Sequence, residues 1–514
     1  MLRLVVLPLL LVPALASATQ WTVDATAAAG GNGSSAKPFK TLNQVLAVLS
    51  TGDTVVVSAG TYNETVSFWQ IQAGSGGWTT IKAAPGASPV IDGGGGAGFV
   101  LQAGETAKMA FEGLTIRNGT GAGILFHKAH DGKVVNCTTK NVESGVVFYY
   151  SNNGEVTGCD LEGGVSGKAT DGTVVKESQI HGSTGNGIYL HADSKNCKYV
   201  NNVVYDNTPN NIYIDTSSNM TVDRNLIYFT GTPPAEHAGI QMADETYDNV
   251  TVPRLDTITI TNNVLIHNRH GILFWQGDYP GQSGMKNVRI TNNTVLNSVE
   301  AALIWDAGPH SATVQNNIFA DDGTGSASLL LLAKSTTGVT LDHNLWNMPW
   351  VPDFIQWGGS AMTHYAWTQA TSQGTGDVLA DPKLAGWTPP ASSARPQSGS
   401  AAIDNGVALT FVTHDFDGTA RPVGSAYDIG AFEVSSVVTP DGAPLVDGAS
   451  AGDASPTADG STTTDLGSVD GPSGGGDDSG CGCRTANRAP QGSVVSLLLG
   501  LIALTAIARA SRMR

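Results

Sequence analysis

Charge is scarce in this chain. Of 514 residues only 14% are Asp, Glu, Lys or Arg, and the basic ones are fewer, 27 against 44 acidic, for a formal charge of −17. So little Lys and Arg excludes the broad electropositive face that nucleic-acid binding needs, and nucleic acid is not an expected partner. The shortage of charged helix formers argues against an ordinary helical or α/β enzyme. Long apolar runs are missing too: the two longest, Leu4 to Ala14 and Val494 to Ala508, fall short of the ~20 residues of an ordinary membrane span. Cysteines number five, so cross-linking is a matter of single pairs. What the chain has instead is Gly, Asn, Thr, Ser and Val, a composition suited to many short strands and turns.

The two ends differ from the body. Arg3, the apolar run to Ala14 and Ala16-Ser17-Ala18 read as a secretory signal over residues 1–18. Residues 436–480 are Asp, Gly, Ser, Thr, Pro and Ala without Lys or Arg, a composition that cannot bury enough apolar surface to fold, and they read as a disordered stalk. Then come Cys481-Gly482-Cys483-Arg484, the apolar run, expected as a short transmembrane helix, and a tail with Arg509, Arg512 and Arg514, which would stay cytoplasmic. In that order these parts resemble the C-terminal sorting signal of myxobacterial surface proteins. The resemblance implies processing or anchoring at Cys481 and Cys483, and attachment to the cell surface, on the outer membrane of a Gram-negative bacterium. A simple tail anchor is the alternative.

Between the ends, residues 19–435 repeat themselves. Phrases such as Tyr199-Val-Asn-Asn202, Val222-Asp-Arg-Asn225, Ile260-Thr-Asn-Asn263, Ile290-Thr-Asn-Asn293 and Val314-Gln-Asn-Asn317 recur at spacings of 19 to 38 residues along the body. Each is followed by a second phrase, such as Gly187-Ile-Tyr-Leu-His191, Asn211-Ile-Tyr-Ile-Asp215, Gly271-Ile-Leu-Phe-Trp275 or Ala302-Leu-Ile-Trp-Asp306. Repeats of this length with two or three short strands each predict stacked coils, because no single coil could bury its own apolar face. Asn at the repeated turn tolerates left-handed geometry, and its amide can bond to the Asn of the next coil, about 4.8 Å away. Cys137 and Cys159 share a ladder position in neighbouring coils, close enough for a disulfide, or for two stacked buried thiols. Apolar residues at Leu42, Val45, Leu46 and Leu49 predict a helix covering the open first coil. The acidic segment with Asp415, Asp417, Asp428 and Glu433 is expected to pair with Arg421 and cap the other end.

With the openings P-F-K-T-L-N-Q-V (38 to 45), G-D-T-V-V-V (52 to 57) and A-G-T-Y-N-E-T-V (59 to 66), and the endings D-F-D-G-T-A-R-P and Y-D-I-G-A-F-E, residues 21 to 433 resemble the pectin-lyase-like superfamily. That implies an all-β fold, a right-handed parallel β-helix with an N-terminal capping helix. The superfamily holds lyases, hydrolases, epimerases and proteins without known chemistry. Neither the closely spaced Asp set of its hydrolases nor the Arg and Asp pattern of its calcium lyases is present.

Alternation in the second phrases turns Ile and Phe inward and leaves an outward column that includes Tyr189, His191, Tyr213, Asp215, Trp275 and Asp306. The longest insertions lie beside it and bring in Glu236, His237, Asp244, Glu245, Asp248, Asp278 and Tyr279, while Arg269 and His270 precede Trp275. The candidate catalytic residues are therefore His191, Asp215, His237, Arg269, His270 and Asp306, with Tyr189, Tyr213 and Trp275 as sugar-stacking residues. A glycosidase would use paired carboxylates, Asp215 with Asp306 or Asp244. A uronate lyase would use a histidine base with Arg269, or Ca²⁺ held by acidic loops, as neutraliser. A monomeric surface protein that binds and cleaves polysaccharide is the leading expectation, and a non-enzymatic adhesin the alternative.

Overall fold

The computed structural model describes residues 18–435 except 72–76, 97, 246–254, 277–283, 307, 309, 324–328 and 335–336. The chain winds as a right-handed parallel β-helix of three 13-stranded sheets, visiting each sheet once per coil. A representative coil passes from Met109–Glu112 in the first sheet to Thr115–Arg117 in the second and Ala122–His127 in the third. Strands pair in parallel with their counterparts one coil on, as Ala122–His127 does with Ser144–Tyr149, until the third sheet ends in the antiparallel pair Ile355–Trp357 and Ser360–Met362. Inward positions stack by type: Phe126 and Phe148 lie with ring centroids 5.0 Å apart, and Ile260, Ile272 and Phe274 are fully buried. Apolar burial on this scale carries most of the stability of such a coil.

The Asn pairs divide their labour. The first residue of each pair takes the left-handed conformation, with φ of 53° at Asn262, 53° at Asn292 and 56° at Asn316. The second forms a buried ladder: from Asn202 through Asn225, Asn263, Asn293 and Asn317 to Asn344, each side-chain amide donates to the Oδ1 of the next coil's Asn at 2.9–3.0 Å. The expectation of one Asn doing both jobs is thus corrected; turn geometry and ladder need different φ values and so different residues. Cys137 and Cys159 occupy this ladder where Asn is absent. The structure leaves both as free, buried thiols, and Cys159 Sγ accepts from the Cys137 N–H at 3.4 Å. Of the two arrangements expected, a disulfide or stacked buried thiols, the structure has the stacked thiols, each also in contact with the coil's backbone. Burial pushes the Cys159 thiol up to about 11, which makes it a poor thiolate source.

The N-terminal end is covered by the helix Leu42–Val45, whose Leu42 and Val45 join the core. At the other end the cap is a helix that the sequence reading missed, His364–Thr371, with Trp367 buried against Trp357. The acidic segment does not cap. It folds back along the outer face of the second sheet, where Ile429, Ala431 and Phe432 pack on Leu226, Val264, Leu296 and Ile318. The left-handed asparagines anchor it: Asn262 Oδ1 accepts from Arg421 at 3.0 Å, and Asn316 exchanges two bonds with Val407. Arg421 does pair with Glu433, at 2.6 Å and fully buried, whereas Asp417 pairs with Arg395 and Asp415 accepts backbone N–H groups.

Among the described residues no helix is long and apolar enough to cross a membrane. The expected signal (residues 1–17 of it), the stalk, Cys481, Cys483 and the apolar run of the tail lie outside the described residues.

Candidate functional site

The third sheet carries all the second phrases, so its two edges collect the candidate residues. Strand starts bring His237, Arg269 and His270 to one edge; strand ends bring His191, Asp215, Trp275 and Asp306 to the other. Five residue steps separate the edges within a strand, roughly 16 Å. The single convergent cleft expected from the sequence is therefore two clusters.

The leading edge satisfies His237 and Arg269 but leaves His270 Nδ1 covered and without a hydrogen-bond partner. His237 is buried, with Nδ1 2.8 Å from the Pro209 carbonyl oxygen and Nε2 3.0 Å from Asn268 Oδ1, so the ring has no free edge for a substrate proton. Arg269 Nε donates to Glu300 Oε2 at 3.1 Å, and His270 Nε2 lies 4.0 Å from the same oxygen. Burial lowers the His270 pKa, against the opposing pull of Glu300.

The trailing edge is a column in strict register. Gly104 pairs with His127, His127 with Tyr149, Tyr149 with Lys168, and Lys168 with His191. Trp69 lies at its start, 43% exposed, with its ring stacked 5.9 Å from that of His127. Glycine at 104 is what permits this, since a methyl there would overlap the indole. His127 and Tyr149 follow at 5.7 Å. His191 stacks on Tyr189 at 4.0 Å and 7°, and Tyr189 on Tyr213 at 4.9 Å. The His191 Nδ1 is covered and has no hydrogen-bond partner. Burial first, and Lys168 second, lower the His191 pKa to about 4, so the ring is neutral near pH 7.

Further along, the column ceases to be the open face expected from alternation. Asp215 is 0% exposed, Tyr213 7% and Asp306 5%. The segment after Ala243 folds over them: Glu245 N–H donates to Asp215 Oδ1 at 3.1 Å, Thr216 Oγ1 donates to the same oxygen at 2.6 Å, and Tyr213 OH donates to Glu245 Oε1. Burial and the two carboxylates hold the Tyr213 hydroxyl protonated well above its ordinary range. Asp306 is paired with Lys334 at 2.5 Å. Trp275 stays partly exposed. A covered, fully bonded Asp215 positions its neighbours and does not meet a polymer, so the paired-carboxylate reading loses its central acid.

Sequence reasoning missed Lys168, because its strand, Val165-Ser-Gly-Lys168, lacks the Gly-Ile opening of the other second phrases. The 19-residue spacing from Cys159 to Ser178 was the signal that a coil stood there. Asp248, Asp278 and Tyr279 lie outside the described residues, as do residues 246–254 and 277–283 of the two long insertions, 230–256 and 276–286, whose acidic residues were expected to hold calcium. Among the described residues no group of three or more His, Cys, Asp and Glu gathers so as to hold a metal ion.

A family model described as "Periplasmic copper-binding protein (NosD)" matches residues 106–254. The described residues of that region do not fit copper: Cys137 and Cys159 are buried neighbours in the ladder, Cys197 is buried in a later coil, and no group of three or more His, Cys, Asp and Glu gathers around them. Among solved structures the chain is similar to pectate lyase Pel9A, at 16% identity over 82% of this chain and 97% of that one, with a TM-score of 0.48. It is similar to PfbA, a surface adhesin of Streptococcus pneumoniae, at 11% identity over 61% and 86%, TM-score 0.46. A rhamnogalacturonan lyase follows at 13% identity over 78% and 99%, TM-score 0.41. No curated protein matches the chain.

Proposed function

We propose that this protein binds an acidic polysaccharide along the trailing edge of the third sheet and cleaves it at His191 by elimination. The observation that carries the reading is the adjacency of Lys168 and His191 in neighbouring coils, at the end of a stacked row of Trp69, His127 and Tyr149. Five coils separate Trp69 from His191, roughly 24 Å, enough for several sugar rings to lie across aromatic faces.

Each part has a task. Lys168 neutralises the sugar carboxylate, a local basic group on an acidic body. His191, neutral near pH 7, takes the proton from the carbon beside that carboxylate. The electron pair forms a carbon–carbon double bond as the C–O bond β to the carboxylate breaks, and the departing oxygen takes a proton from water. A carboxylate bound to Lys168 also offsets the charge that depresses His191, which strengthens the base when substrate is present. Tyr189 and Asp215, linked at 3.5 Å, hold the rings in place. The first eighteen residues and the tail around Cys481 and Cys483 support action outside the cytoplasm while attached to the cell surface.

The test is incubation of the full chain with a panel of uronate polymers, read by the ultraviolet absorbance of the new conjugated double bond. Product that disappears in His191→Ala supports the reading. Tight binding without product across the panel would instead establish the adhesin alternative.

A further inference from the structure

A second binding place lies far from the Lys168 and His191 pair, at the turn that follows the second sheet in its last three coils. The residues after Ile318–Ala320, those after Leu345–Asn347, and those after Val378–Leu379 close a pocket of about 320 Å³, at the small end of ligand sites. Asp321, Asn347, Trp350, Asp381, Lys383 and Trp387 line it. The Trp350 ring lies over Gly323 and is still 46% exposed, although a residue of its size and apolarity is ordinarily covered.

Asp321 is the informative member. It is 1% exposed; its Oδ1 accepts the Gly323 N–H at 2.8 Å, and its Oδ2 is covered with no partner. A buried carboxyl oxygen without a donor is costly, and a ligand hydroxyl would satisfy it. Burial, with Asp322 behind it, raises the Asp321 pKa, against the opposing pull of His267.

We propose that this pocket binds a neutral sugar residue, its ring face on Trp350 and its hydroxyls on Asp321 and Asp381. The alternatives fit less well. Asp321, Asp322 and Asp381 against Lys383 disfavour a uronate or phosphate, and the described carboxylates are not grouped to hold a bare metal ion. An organic ammonium ion could use the same indoles, but the Lys383 amine already brings a positive charge to the wall. A site here would hold a neutral stretch of glycan against the flank of the solenoid, independently of cleavage at His191.

The experiment is calorimetric titration of the full chain with neutral xylo-, gluco- and galacto-oligosaccharides, uronate oligomers, tetramethylammonium and Ca²⁺. Binding of a neutral oligosaccharide is expected, weakened at least tenfold by Trp350→Ala and by Asp321→Asn and unchanged by His191→Ala. Trp350 is exposed, so its truncation leaves the fold intact, as an unchanged melting temperature would verify. No neutral oligosaccharide binding, binding that both variants leave intact, or binding of tetramethylammonium or Ca²⁺ alone would overturn the proposal. Loss of cleavage elsewhere would not bear on it.

Discussion

The two edges of the third sheet use the same residue types and surround them differently. At the leading edge, His237 lies between the Pro209 carbonyl and the Asn268 side chain, Arg269 lies on Glu300, and His270 has a covered, unbonded Nδ1 with Glu300 4.0 Å from its Nε2. At the trailing edge, His191 keeps an unbonded nitrogen and Lys168 stands beside it. The difference lies in the neighbouring cation: His191 and His270 both keep a covered, unbonded nitrogen, but Lys168 stands in register beside His191, whereas the arginine beside His270 is already paired with Glu300. A ring whose nitrogens both face carbonyl oxygens is structural, however close it is to other charges.

Substitutions can break this contrast. The largest effect is expected for His191→Ala, which should lower product formation by about 10²-fold or more with substrate binding little changed; His270→Ala should leave product formation near wild type in the same assay. Equal loss in both would erase the distinction between edges. Next, Asn268→Ala should cost about 1–3 kcal/mol in denaturant unfolding, because the buried His237 and Asn211 amide lose their acceptor. Lys168→Met should lower kcat/KM at least about tenfold, with kcat reduced as well as KM raised, because the ammonium holds the carboxylate in the ground state and offsets the charge that grows on it in the transition state. The same substitution should also move the His191 titration upward in NMR, since Lys168 is one cause of its depression.

The pH dependence follows from that depression. A histidine held below its ordinary value binds its proton more weakly in the folded than in the unfolded chain, so its contribution to stability is full above about 6.5. That contribution is lost as the pH falls towards about 4, to which burial and Lys168 depress His191. His191→Gln should flatten this acid limb of the melting curve, and an unchanged limb would assign it to the other buried histidines. The smallest effect is expected at Trp69→Ala, about 0.5–1.5 kcal/mol of binding energy lost per ring, seen in KM or Kd while kcat stays constant.

Much of the fold was legible. The period-two alternation of Gly271-Ile-Leu-Phe-Trp275 states which side chains face the core, and the Asn pairs state where a coil turns. The candidate site was legible only in part. Tyr189, His191 and Tyr213 were named and do stack; His237, Arg269 and His270 were named and lie on the other edge. Lys168 was passed over because its own phrase is degenerate, and Trp69 because the residue that makes room for it, Gly104, is 35 positions away.

The amino-acid sequence by itself determined the solenoid, its sheets and its ladder, since these rest on local periodicity and on turn residues repeated coil after coil. Tertiary structure alone decided which outward residues remain accessible, that the thiols at 137 and 159 stay apart, and that residues 401–433 lie along the flank. The physical reason is that coverage depends on where insertions of unequal length fold across neighbouring coils. Exposure at Asp215 is set by Glu245, thirty residues on, and a two-residue period carries no record of it.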